Sequence, residues 1–361
     1  MLCSAIPSHL QCPRTRPANL RPGFQPPYPS YSVRFPETTS QLVLAIIGAQ
    51  YRPNPASNAD NTAQSTLLPF LTSASNPPSF FEWASVTDNQ DHYNIAALVY
   101  WPSKTAFDDW AQQSGFREWW DGLKPEECQN GWFLEVFFPT VERFETLFNT
   151  KETPEGSAHM GDGMSGEVQE HGYWGSMRDR LPVAQTDGLV GTPRIASEEN
   201  DAGIPPVFNV SGRIRIPGQR NLAVIRSGQD WAGTSPEERK LYLETMHPVL
   251  IDGMNFLRDH GDEVGCYSCR FMEIVNPETD KADKDRTFGL AYFDDLESLE
   301  RWCKEHPTHL AIFNGFHRYA GKLKGNVTLR VFHEVMVLEP EQQVFEYVGC
   351  HAGTGMLRKG R

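Results

Sequence analysis

Four of the 11 histidines crowd one stretch of the chain: His306, His309, His317 and His333. The run Glu305-His306-Pro307-Thr308-His309-Leu310 follows a helical pattern. Proline is tolerated at the first position of a helix, so Pro307 predicts a new helix with His309 in its first turn, running through Phe313 and Phe316. The partial positive charge at a helix start disfavours a protonated imidazole. A neutral imidazole is the form that binds a metal. Leu310, Phe313 and Phe316 add an apolar wall suited to a flat cofactor. The competing reading is that His306 and His309 are surface or capping residues.

His333 sits in Val331-Phe332-His333-Glu334-Val335, which alternates like a strand. Facing inward, it would be a titratable group in an apolar cavity, the setting in which an imidazole serves as acid or base. The alternative is a hydrogen-bonded core histidine. Ser227 closes the apolar run that starts at Leu222 and offers a hydroxyl to the same cavity, or else caps a turn. No Gly-x-Ser-x-Gly surrounds it, so a nucleophile elbow is not supported. Cys266-Tyr267-Ser268-Cys269 is a lone CxxC on an alternating stretch, a weak zinc signal that suits two strand thiols better. No Cys-x-x-Cys-His occurs, which excludes covalent c-type haem. Gly353-Thr354-Gly355 lacks the strand and helix that a nucleotide loop needs and reads as tail.

These residues must be positioned by elements that occur twice. Ile95 to Trp110 and Thr287 to Trp302 each place an aromatic after a tyrosine (Tyr100-Trp101, Tyr292-Phe293) and a tryptophan ten residues after that tyrosine. Each reads as a strand entering an amphipathic helix, with Leu296, Leu299, Trp302 and Cys303 at helical spacing. Upstream, Val43 to Gln50 is echoed by Leu222 to Gln229, which pairs Ser227 with Gly48. Downstream, Phe133 to Phe138 is echoed by Leu329 to His333, which pairs His333 with Phe138. Pro236 to Met246 and Val249 to His260 are helical patterns between the first two strands of the later copy. Each half then reads β-α-β-β-α-β, the ferredoxin-like unit. The expected fold is α+β: duplicated ferredoxin-like units forming a dimeric α+β barrel with helices packed outside. The expected organisation is an extended arm over 1–36, a first unit over 37–150, an irregular linker over 151–205, a second unit over 206–340 and a tail over 341–361.

Hydrophobic residues make up 39% of the 361 and charged residues 22%, enough apolar content for a large core. The formal charge of −13 argues against nucleic acid as a partner, since phosphate binding wants clustered Lys and Arg. No apolar run approaches the roughly 20 residues of a membrane span. The Pro- and Arg-rich N-terminus lacks the apolar stretch of a secretory signal. Seven thinly spread cysteines suit a reducing compartment, so the expected location is cytoplasmic.

Several motifs together resemble the haem-containing aldoxime dehydratases: Glu170-His171-Gly172-Tyr173-Trp174-Gly175-Ser176-Met177-Arg178, Ile225-Arg226-Ser227-Gly228-Gln229-Asp230-Trp231, His306-Pro307-Thr308-His309-Leu310 and His333-Glu334-Val335. Ser4-Ala5-Ile6, Cys12-Pro13-Arg14-Thr15 and Gly353-Thr354-Gly355-Met356-Leu357-Arg358 extend the resemblance over nearly the whole chain. It implies a homodimeric lyase with one haem b per subunit, ferrous when active, that dehydrates an aldoxime to a nitrile. Phenylacetaldoxime-like compounds are the first expectation for substrate. It further implies His309 as proximal iron ligand, His333 as distal acid and base, and Ser227 as the group holding the oxime oxygen. Arg180 and Glu145 would act on the distal side. The interval between His309 and His333 is a few residues longer than the family suggests, through Lys322 to Asn326, as a turn insertion or as a shift inside the strand. A haem peroxidase or haem-based sensor of the same architecture is the alternative, because fold does not fix function.

Overall fold

A computed structural model of the chain describes residues 2–52, 62–73, 76–192, 212–276 and 281–360. Its strands are β1 (Val33–Arg34), β2 (Val43–Tyr51), β3 (Phe80–Thr87), β4 (Tyr93–Trp101), β5 (Gly131–Phe137), β6 (Phe144–Phe148), β7 (Gly163–Met164), β8 (Arg213–Ile216), β9 (Leu222–Asp230), β10 (Cys266–Asn276), β11 (Lys281–Phe293), β12 (Arg330–Leu338) and β13 (Gln343–Val348). Its α-helices are α1 (Thr62–Ser73), α2 (Lys104–Gln113), α3 (Phe116–Gly122), α4 (Ser176–Arg180), α5 (Pro236–Thr245), α6 (His247–His260), α7 (Leu296–Glu305) and α8 (Pro307–Lys322). None is long and apolar enough to cross a membrane.

Eleven strands form one antiparallel sheet in the order β6-β12-β9-β11-β10-β3-β4-β2-β5-β13-β8. The sheet curls. Phe144 of β6, Leu222 and Val224 of β9, Leu44 and Ile46 of β2, and Phe345 and Tyr347 of β13 come from opposite ends of that order yet share one buried cluster. The other face is covered by helices. Val43, Ala45 and Ile47 pack with Trp110 and Trp120 of α2 and α3, and Ala223, Val335 and Val337 pack with Met254, Leu299 and Trp302 of α6 and α7. Since β2 is covered on both faces, all nine of its residues are buried. It therefore reads as a continuous apolar run rather than an alternating one.

The strand order repeats. β5-β2-β4-β3 and β12-β9-β11-β10 place the fourth, first, third and second strands of each half in the same sequence, and β3 joins β10 between them. Two glycines fix the frame. Gly48 is opposite Phe133, and Gly228 opposite Phe332. A Cβ on either glycine would lie 2.3 or 2.2 Å from the facing ring. Gly48 thus corresponds to Gly228, and His333 to Leu134. This differs by one residue from the Ser227–Gly48 echo and displaces the His333–Phe138 pairing, because the sequence similarity at the strand ends is too slight to set a period-two register.

Local chemistry sets the helix starts. Ser103, Ser235 and Asp295 each accept a backbone N–H of the first turn, starting α2, α5 and α7. Leu296, Leu299, Trp302 and Cys303 are all buried, as their spacing predicts. Between 151 and 192 the chain is irregular apart from short turns, β7 and α4, and the remainder of the expected linker, through the start of the second unit, lies outside the described residues. Within 341–361, read as tail from sequence, Gln343–Val348 forms β13, held between β5 and β8.

Candidate functional site

One row of residues crosses five strands on the helix-covered face. Leu147 of β6 pairs with His333 of β12, His333 with Ser227 of β9, Ser227 with Gly289 of β11, and Gly289 with Phe271 of β10. Directly opposed side chains in an antiparallel sheet stand about 5 Å apart, so the register brings the serine hydroxyl and the imidazole together. His333 shares this face with Val335 and Val337, away from the cluster the curled sheet encloses. The inward cavity expected from sequence is thus the layer between sheet and helices. Lys322 to Asn326 form the end of α8 and its turn, where Lys324 and Gly325 take positive φ of 53° and 80°. The extra residues therefore lie outside β12.

Behind His333 lies a buried ion pair. Arg180, the last residue of α4, donates from Nε to Glu145 Oε2 (2.7 Å) and from Nη2 to Glu145 Oε1 (2.9 Å). Its Nη1 donates to the Glu170 carbonyl (2.8 Å). His333 Nε2 lies 2.8 Å from Arg180 Nη2 and 3.1 Å from Glu145 Oε1. A proton on Nε2 is donated to the carboxylate; without it, Nε2 accepts from the guanidinium. Both partners occupy the same nitrogen, so Nδ1 is left for a substrate. Burial opposes the Glu145 charge, but Arg180 first and His333 second overturn that and hold its carboxyl down at about 2. The N-terminal arm fixes α4: Asp179 accepts from the backbone of Asn19 and Leu20 and from the Tyr173 hydroxyl.

His309 occupies the first turn of α8, and His306 is the N-cap, its side chain accepting from Thr308 N–H. The capping reading is therefore right for His306 and leaves His309 unexplained. Its ring packs edge-on against Trp302 (4.8 Å between centroids) and near Trp174 (6.3 Å). Its Nδ1 is buried. Burial pushes its pKa down to about 4, against a small opposing pull from the Cys303 backbone, so the imidazole is neutral.

Around it the packing is incomplete. Ile225, Ser227, Phe271, Val331 and His333 on the sheet, and Ile312, Phe313 and Phe316 on α8, are only half-buried although they lie between layers. Tyr28 and Trp174 remain 40% and 39% exposed while packed on Phe316 and Phe313. A neutral imidazole, an aromatic wall and a layer of half-buried side chains fit a flat apolar cofactor ligated by His309. Gly289 contributes room, because a Cβ there would meet Met254 Sδ at 2.7 Å.

The same two strands carry a different chemistry on their other face. Arg226 pairs with Glu82 and Glu334, Tyr100 donates to Glu334 (2.8 Å), and Arg286 bridges Glu82 and Glu155. This network ties β9 and β12 to β3 and β4 directly behind Ser227 and His333. Among the described residues one group has metal-ligand spacing, Asp88, His92 and His351. There His351 Nε2 lies 2.9 Å from Asp88 while its Nδ1 accepts from Gly353 N–H. A metal on Nε2 wants a donor at Nδ1, not an acceptor, so the cluster reads as a clamp between turn and C-terminus. Cys266 and Cys269 are buried within β10.

Of the five residues singled out from sequence, Ser227, His333, Glu145 and Arg180 are brought together, and His309 lies in the first turn of α8, packed on Trp302 and Trp174. Sequence reasoning assigned nothing to His171, which is 1% exposed with Nε2 unpartnered. The motif around it was visible, but its partners are more than 100 residues away in the chain.

The sequence profile of the haem-containing dehydratases matches residues 45–356. The aliphatic aldoxime dehydratase of Pseudomonas chlororaphis is 40% identical over 98% of this chain and 97% of its own. The phenylacetaldoxime dehydratase of Bacillus sp. (strain OxB-1) is 28% identical over 94% of this chain and 93% of its own. A crystal structure of an aldoxime dehydratase in complex with butyraldoxime is similar with a TM-score of 0.87 at 36% identity, covering 99% of this chain and 96% of the other.

Proposed function

The chain belongs to the haem-containing dehydratase family, and from that premise we propose that it converts an aldoxime, R–CH=N–OH, to a nitrile and water, with His309 holding the haem. The observation that carries this reading is the register that sets Ser227 beside His333, with Glu145 and Arg180 behind the imidazole. Haem iron, when bound, supplies a Lewis-acidic and electron-donating centre for the oxime nitrogen.

The side chains supply orientation and proton transfer. Ser227 donates its hydroxyl proton to the oxime oxygen and fixes its direction. His333, protonated, keeps Nε2–H on Glu145 and delivers the Nδ1 proton to the hydroxyl, which departs as water as the N–O bond breaks. Now neutral, Nδ1 takes the hydrogen from the oxime carbon, and the C≡N bond is complete. One proton has been given and one recovered, so the imidazole returns to its starting state. Glu145 stabilises the charged imidazole, and Arg180 keeps Glu145 ionised in a buried place.

The more similar of the two curated relatives acts on aliphatic aldoximes, which directs the first substrate panel toward alkyl groups, with aryl-alkyl aldoximes beside them. The repeated strand order and the Gly48/Gly228 frame support duplicated ferredoxin-like units over 37–150 and 206–340, with 1–36 as an arm, 151–205 as a linker and 341–361 as the C-terminal segment. A homodimer is part of the proposal, as implied by the motif resemblance, and sedimentation tests it. Seven cysteines spread thinly along the chain support a cytoplasmic setting.

The deciding experiment mixes reduced, haem-loaded protein with an aldoxime panel under argon and measures nitrile by gas chromatography. Nitrile formation is expected. Its absence across the panel, with ferric protein oxidising a dye at the expense of peroxide, would establish a peroxidase instead.

A further inference from the structure

We infer that His171 is an additional substrate-binding residue, whose Nε2 pairs with the oxygen of the oxime hydroxyl and of the water that hydroxyl becomes. The inference rests on the aldoxime dehydration proposed above.

The placement of the ring is over-determined. Glu170 accepts from the Ser4 hydroxyl (3.0 Å) and from Ala5 N–H (2.8 Å), while its own carbonyl accepts from Arg180 Nη1 (2.8 Å). The residue before His171 is thus pinned by the arm on one side and by the distal guanidinium on the other. The imidazole packs on Tyr28 at 5.2 Å between centroids, and Tyr28 in turn meets Phe316 at 6.3 Å. Phe316 stands seven residues after His309, two turns along the same face of α8. His171 therefore lies between the Arg180 pair and the helix that carries His309, and in this inference the oxime occupies the space beside it.

Its chemistry is then constrained. The Ser30 hydroxyl is 3.5 Å from Nδ1, and among the described residues nothing pairs with Nε2. Burying an imidazole nitrogen without a partner is costly, and the contact is satisfied by a ligand with a polar oxygen. Burial first, and the charge of Arg180 second, push its pKa down to about 4. At neutral pH it is an uncharged ring with one donor and one acceptor. With Ser30 donating to Nδ1, the proton sits on Nε2 and is offered to the oxygen. Such a ring steers and holds the leaving oxygen but does not protonate it, which remains the task of His333.

The test uses haem-loaded His171→Phe and His171→Gln beside the parent enzyme. His171→Phe fills the space and removes the donor; His171→Gln retains one. Both are expected to keep the parent's ferrous absorption spectrum. His171→Phe should lose about 10²-fold in kcat/KM and bind aldoxime more weakly, as read from the visible-band shift on titration. His171→Gln should recover to within about tenfold of the parent by the same comparison. The shape of the pH–rate profile should be the same in all three, because His171 does not titrate in the working range. A His171→Phe enzyme within about threefold of the parent in kcat/KM and affinity would overturn the inference and mean that Nε2 meets only trapped water. Losses in both variants that follow haem content alone would overturn it in favour of packing. Either outcome leaves nitrile formation by the parent intact, whereas a parent that makes no nitrile removes both readings.

Discussion

Replacing Glu145 by glutamine tests the ion pair on which the distal side is built. The carboxylate is fully buried, receives two hydrogen bonds from Arg180 and one contact from His333 Nε2, and is held down at about 2 against an ordinary 4.5. A depressed folded pKa means stability that is present above the unfolded value and lost as pH falls through the folded one. At about 1.4 kcal/mol for each tenfold change in proton affinity, the difference is worth about 3 kcal/mol. Removing one partner of a buried pair costs about 3–5 kcal/mol by the separate route of stranding the other charge, and the two figures agree. Urea unfolding of haem-loaded parent and Glu145→Gln, followed by far-UV circular dichroism and the Soret band, should show a gap of about 3 kcal/mol at pH 7. The gap should persist down to about pH 4.5 and then narrow toward pH 2 as the parent takes up its proton. A gap below about 0.5 kcal/mol at pH 7, or one unchanged from pH 7 to pH 3, would refute the argument, since surface substitutions alone reach that size.

Three further outcomes follow from the same geometry. His309→Ala should purify with little haem and fail to regain a Soret band on reconstitution; a normal five-coordinate ferrous spectrum would return the proximal role to another residue. Ser227→Ala should keep haem and its stability while nitrile formation falls about 10²–10³-fold, the usual effect of one lost positioning hydrogen bond; a loss under about threefold would make the serine structural. His333→Asn should fold, hold haem and still respond spectrally to aldoxime yet release almost no nitrile, because an amide cannot cycle a proton; substantial turnover would move the acid role to Arg180 and a bound water.

What the residues alone could reveal depended on the range of the interactions involved. The helix beginning at Pro307, the first-turn position of His309 and the apolar stripe of α7 rest on neighbours within four residues, and all are found. His306 illustrates the limit. Only the cap geometry, with its ring accepting from Thr308 N–H, separates it from His309. The pairing of Arg180 with Glu145 joins residues 35 apart, and His333 joins Arg180 across 153. No periodicity predicts such contacts, so their roles came from the motif resemblance. The one-residue offset in the repeat has the same origin, since β2 is buried on both faces and supplies no alternation to fix a register.

The strand period also explains how one short segment serves two ends. Successive side chains on β9 and β12 point to opposite faces. Ser227 and His333 therefore enter the helix-covered layer, while Arg226 and Glu334, their immediate neighbours, enter the enclosed interior and lock the strands to β3 and β4. The buried network holds the backbone from behind, while the residues in front remain half-buried. A site that must admit a cofactor and a substrate cannot be stabilised by packing its own functional groups. Here the rigidity comes through the backbone, from ion pairs and hydrogen bonds one residue away and on the other side of the sheet. In the proposed reaction the His333 imidazole would give and recover its Nδ1 proton, with Nε2 held by Glu145, without moving the strand that carries it.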